Sequence, residues 1–127
     1  MRYWTFDVCS LIADYEKNRR TLSTIKDAIK LSKGYLENPV GATTRGDWEQ
    51  YLSILELREA EYELYCGMVV NGLMDLPEVE RLVLRWWLID KYDDDYIIEH
   101  CGIKNTSELR KIKKIAITKF TNIVMPN

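Results

Sequence analysis

The chain has 127 residues, 46% of them hydrophobic and 30% charged, with a net charge of −2. This is the balance of an ordinary folded protein of one compact domain or two small ones, and it excludes extended disorder. No run approaches the roughly 18 uninterrupted apolar residues of a membrane helix, and Met1-Arg2-Tyr3-Trp4 leads into a polar amphipathic pattern without a signal-peptide core. The expectation is a cytoplasmic protein with no membrane partner.

Residues 1–74 read as two long helices. Val8, Ile12, Tyr15, Leu22, Ile25, Ile29 and Leu36 step by threes and fours, apart from a polar gap at Asn18 and Arg19, and such a stripe calls for a helical partner. Asn38-Pro39 and the two glycines Gly41 and Gly46 interrupt it as a hairpin loop. Asp47 can cap the next helix, in which Trp48, Leu55, Tyr62 and Val69 recur every seven residues, with Leu52, Tyr65 and Cys66 on the alternate stripe. The two helices should pack antiparallel. Loose pairing of Glu56, Glu59, Glu61 and Glu63 with Lys17, Arg19, Arg20 and Lys26 would help set the register at a few tenths of a kcal/mol each. Two helices cannot cover all of their own apolar stripes. Trp4, Phe6, Tyr35, Tyr51 and Tyr65 therefore mark this hairpin as a homodimerisation element or a surface for RNA polymerase. Simple support of the C-terminal unit is the plainer alternative.

Asn71-Gly72 can end the second helix, Asp75 can cap a third, and Pro77 fits its first turn. Val79, Leu82, Val83, Trp86 and Trp87 give that third helix a broad apolar face. Packing, rather than an exposed stacking platform for single-stranded nucleic acid, is the better use for the two tryptophans. Asp93-Asp94-Asp95 suits a helix N-terminus better than a magnesium site, because neighbouring helical residues point apart and the helix dipole favours acids there. The helix they open should bury Tyr96, Ile97 and Cys101 and stop at Gly102, where a left-handed turn costs least.

The last helix begins after Lys104. Asn105, Thr106 or Ser107 can supply the capping oxygen, and Glu108 lies three residues after Asn105, as a capping box requires. At 100° per residue, Leu109, Ile112, Ala116, Phe120 and Ile123 fall on one side, while Ser107, Arg110, Lys111, Lys114 and Thr118 fall opposite. Small Ala116 on the packed side lets a second helix approach closely. Charge segregates to match: residues 75–103 hold three basic and eight acidic side chains, whereas 104–127 hold six and one. A local basic face can bind phosphate even though the whole chain is slightly acidic, and the overall sign implies weak nonspecific affinity.

Two helices meeting at a tight turn, the second with one packed and one basic face, read as a helix-turn-helix. The residues Leu76-Pro77-Glu78-Val79-Glu80-Arg81-Leu82-Val83-Leu84, Ile97, Gly102-Ile103, Leu109-Arg110, Ile112, Ala116-Ile117 and Phe120 resemble the pattern of sigma-factor region 4, over roughly the last 50 residues. With an unrelated helical pair in front, the whole chain resembles the ArpU/RinA-type regulators of phage late genes. The resemblance implies an all-α protein: a helical hairpin over 1–74, then a three-helix region 4-like DNA-binding unit over 75–127. It also implies late-gene activation in a bacterial host cytoplasm.

The contacts to double-stranded DNA would come from Lys104, Asn105, Thr106, Ser107, Arg110, Lys111, Lys113, Lys114 and Thr118. A solvated lysine-rich surface is the bland reading of the same residues. An interaction protein that binds RNA polymerase or a sigma factor, with little DNA affinity of its own, is the functional alternative. Cys9, Cys66 and Cys101 are scattered, without C-x-x-C pairing, and His100 is the sole histidine, so no metal site is expected. No phosphate loop, nucleophile elbow or H-E-x-x-H helix is present, which points to neither an enzyme nor a cofactor.

Overall fold

The computed structural model describes residues 7–37 and 44–125. All elements in it are helical: α1 (Val8–Ala13), α2 (Tyr15–Glu37), α3 (Arg45–Met74), α4 (Glu78–Leu84), which continues as a π-helical turn over Arg85–Ile89, α5 (Asp94–Cys101) and α6 (Thr106–Val124). No helix among the described residues is long and apolar enough to cross a membrane. The expected roles of Trp4, Phe6 and residues 38–43 lie outside the described residues.

The described residues divide into two compact units, one within Lys17–Cys66, the other of residues 7–16 together with 67–125. These units do not coincide with the 1–74 and 75–127 division. The beginning of the chain and the end of α3 group with the C-terminal helices because their apolar side chains are used there: Val8, Leu11 and Ile12 of α1 are buried, and α1 packs on the π turn and α6.

In the Lys17–Cys66 unit, Ile25 and Ile29 of α2 bury against Leu55 of α3, flanked by Ala28, Leu52 and Tyr62. Tyr35 lies 4.7 Å from Trp48 between ring centroids, Arg45 Nη1 donates to Leu36 O at 3.2 Å, and Lys26 Nζ pairs with Glu63 Oε1 at 3.1 Å. Partners descend along α2 as they ascend along α3, the antiparallel order. Asn18 does not interrupt the apolar stripe; it is buried on it, as is Ser32. Tyr65 is buried as well, so the large surface expected there is already consumed.

Helix ends depart from the sequence reading in three places. The first helix does not run on continuously from Val8: Asp14, at φ −87° and ψ 2°, breaks it, and α1 has its own cap in Asp7, whose carboxylate accepts from Ser10 N and Ser10 Oγ. α3 begins two residues before Asp47. Thr44 Oγ1 donates to Asp47 Oδ2 at 2.8 Å and accepts from Asp47 N at 3.2 Å, a reciprocal box in which Asp47 is the inner member. α3 also runs through Asn71-Gly72 to Met74, and Pro77, not Asp75, stands at the N-terminus of α4.

In the other unit, Val83, Ile97, Ile103 and Leu109 form a core with Trp86, Trp87, Ile98, Cys101 and Ile112 around it. Val79, expected on the packed face, is exposed. The π turn donates Asp90 N to Arg85 O at 2.9 Å, one residue wider than an α-turn, and Lys91 ends it in the left-handed region at φ 59°. Lys91 offsets part of that strain by donating Nζ to Leu88 O at 3.1 Å.

Candidate nucleic-acid interface

Local hydrogen bonding explains how α5 and α6 meet. Asp93 caps α5 by accepting from Tyr96 N at 2.9 Å. Gly102 ends it at φ 68°, and the N–H groups of Gly102 and Ile103 both reach Ile98 O. Asn105 then caps α6, its Oδ1 accepting from Glu108 N at 2.9 Å, while Glu108 Oε2 reaches back to Lys104 N at 3.3 Å. Every residue from Gly102 to Asn105 is therefore committed to turning the chain, except for the exposed Lys104 side chain.

The packed side of α6 follows the sequence pattern: Leu109, Ala116 and Phe120 are buried, with Ile112 and Ile123 partly so. Lys104, Asn105, Thr106, Ser107, Arg110, Lys111, Lys114 and Thr118 are exposed on and before the helix. Thr118 already donates its hydroxyl to Lys114 O at 2.9 Å. Lys113 departs from this group. Its side chain is only 18% exposed, Nζ sits 2.7 Å from Asp94 Oδ1, and the same ammonium lies 4.5 Å from the centroid of the Trp87 ring. Lys119 is likewise engaged, bridging to Glu80 of α4 at 2.9 Å. Two of the six basic residues of the tail are thus paired with carboxylates of the same chain, and the free positive charge of the tail gathers at Lys104, Arg110, Lys111 and Lys114, which make no ion pair among the described residues.

Ile115 is a member that the sequence reading missed. It is 48% exposed and borders Lys111 and Lys114, an apolar group on a helix side otherwise polar. Its period allows either face, so only exposure assigns it.

α5 presents a different surface. Tyr96 does not enter the core with Ile97; it stacks on His100 with centroids 3.9 Å apart and lies 4.2 Å from Tyr92, while Trp86 meets all three rings edge-on. His100 Nδ1 lies 2.8 Å from Tyr96 O, which fixes the outermost ring. Partial desolvation, a hydrogen bond with Tyr92 and the nearby carboxylates Asp90 and Glu99 push the Tyr96 phenol above its ordinary pKa. The surface is aromatic, and of its two carboxylates Asp90 is already paired with Arg85 Nε at 3.6 Å.

The three cysteines are partly buried thiols. Burial raises each pKa, with Asp7 adding to the effect at Cys9. Among the described residues no three His, Cys, Asp or Glu side chains converge as metal ligands would. No family model matches the chain, and no curated protein or solved structure is significantly similar to it.

Proposed function

We propose that the chain is a sequence-specific regulator that binds double-stranded DNA, with α6 as the recognition helix of a helix-turn-helix formed by α5 and α6. One observation carries this reading: Arg110, Lys111 and Lys114 stand exposed on one side of α6, while Leu109, Ala116 and Phe120 are buried on the other. A cationic helix side flanked by a short capped turn is what major-groove docking requires. Late-gene activation follows only from the resemblance to ArpU/RinA-type regulators. The α2–α3 pair then serves self-association or contact with RNA polymerase. No catalytic role is proposed.

The test is equilibrium binding to duplexes from around the protein's own gene and to random duplex, over a range of NaCl. Four free cations imply a slope of log K against log salt of roughly −3 to −4, at about −0.9 per phosphate neutralised. The α5 surface of Tyr92, Tyr96 and His100 beside Asp90 and Glu99 favours a second reading, an interaction protein with little DNA affinity. That reading takes over if the low-salt affinity for these duplexes does not exceed that for random DNA.

A further inference from the structure

α3 is apolar on two opposite sides. Leu52, Leu55 and Tyr62 pack with Ile25, Ala28 and Ile29 of α2. On the far side Ile54, Leu57 and Leu64 are 47%, 74% and 51% exposed. With Glu61, they are spaced by three, four and three residues, the a/d spacing of a coiled coil. At 100° per residue these four positions fall within about 80° of one another, on the side away from Leu55. A single exposed aliphatic side chain needs no explanation, but three on one helical line do. Ser53 and Ala60, seven residues apart and both exposed, flank the line with little bulk, so another helix can come close.

We infer that this line is a seam on which a second copy of the chain lays its own α3 antiparallel. The inference deepens the self-association reading of the α2–α3 pair and does not depend on DNA binding. Orientation follows from charge. A parallel in-register pair would set Glu61 against its own copy in one core layer, where two carboxylates repel and lose solvent. An antiparallel pair centred on Glu59 sets Ile54 against Leu64 and Leu57 against Glu61 of the second copy, with Arg58, next to Leu57, beside that carboxylate. Both groups are available for this. Arg58 makes no ion pair among the described residues, and Glu61 uses Oε1 to accept from Tyr65 Oη at 3.1 Å, leaving Oε2. From Ile54 to Leu64 the seam is about 15 Å long at 1.5 Å per residue. Three apolar side chains along so short a seam cover far less than the roughly 800 Å² per partner of a tight complex, so the dimer is a weak one, dissociating in the micromolar range.

Sedimentation velocity of the full chain from about 5 to 200 μM tests this, with circular dichroism as a check that variants stay helical. The wild type should shift from monomer to dimer across the range, and Leu57→Lys, an outward change, should remain folded and monomeric. Arg58→Glu and Glu61→Arg should each weaken association about tenfold, and the double exchange should recover most of it, as coupled charges do. A wild type monomeric throughout overturns both the seam and the self-association reading. A dimer that survives Leu57→Lys and Leu64→Lys overturns the seam alone and leaves self-association to another surface. Failure of the double exchange to recover association overturns the antiparallel register.

Discussion

Gly72 of α3 lies directly beneath the ring of Phe120 of α6: a Cβ placed on Gly72 would stand 2.7 Å from Phe120 Cδ2 and 2.9 Å from Cζ, and closer still to Cε2. Phe120 is fully buried, so its ring has nowhere to retreat. Alanine in a helix interior gains about 1 kcal/mol over glycine, and less in the last turn, where Gly72 stands, but forcing a methyl into a packed contact costs about 1–3 kcal/mol. Gly72→Ala should therefore destabilise the protein in urea denaturation. In a Phe120→Leu background the same change should cost less, the signature of direct coupling. A Gly72→Ala protein more stable than the wild type would show that the two helices do not meet so closely.

The same glycine shows what the sequence could and could not yield. Asn71-Gly72 reads as a helix stop, because glycine's local signal is conformational freedom; its use here is close approach to a residue in another helix. Where the cause is local, the sequence was legible: the Gly102 turn, the Asn105–Glu108 cap and the opposed faces of α6 all depend on neighbours within one or two turns. Lys113 depends on Asp94, nineteen residues away, and projects from a flank that periodicity leaves open to either use. The outward stacking of Tyr96 likewise requires Trp86 and His100 in place, and the break at Asp14 has no proline or glycine to announce it.

Lys113 and Lys111 should separate packing from DNA attraction. Lys113→Met keeps the stem against Trp87 but removes the ion pair with Asp94 and the charge over the ring. A partly exposed pair and a cation–π contact together are worth about 1 kcal/mol, so the melting temperature should fall while the salt slope of DNA binding stays unchanged. Lys111→Ala should do the reverse, lowering that slope by about one with little effect on stability. Equal loss of slope in both variants would return Lys113 to the DNA surface.

The partly buried thiols carry a pH dependence whose sign is fixed. Burial raises the pKa of Cys9, Cys66 and Cys101, so at any given pH the folded chain holds less thiolate than the unfolded chain. Reaction with a thiol reagent at about pH 8 should be slower than that of free cysteine, and should accelerate on adding denaturant. The linked effect on stability has the same direction. The folded state retains protons that the unfolded chain gives up, so stability should decline as pH rises through the ordinary thiol range and above it. Native-state alkylation at the rate of a free thiol would contradict this.

The last prediction separates base reading from charge attraction on the exposed side of α6. Arg110 is the best placed to read a base, since it is exposed and its guanidinium can donate two parallel hydrogen bonds to guanine O6 and N7. Arg110→Ala should cost about 1–3 kcal/mol on the cognate site and relax preference at one position. Lys104 precedes the Asn105 cap, where its exposed ammonium is suited to phosphate. Lys104→Ala should accordingly weaken all sequences alike and reduce the salt slope by about one. Leu109, fully packed against Val83, Ile97 and Ile103, supplies the structural control. A carboxylate there has no partner and should unfold the unit, so Leu109→Asp should lose DNA binding together with its helical circular dichroism. The informative comparison is between variants that keep their helix. Should Arg110→Ala and Lys111→Ala both remain folded and bind the cognate duplex as the wild type does, α6 does not enter the major groove, and the duplex must be held by another surface of the chain.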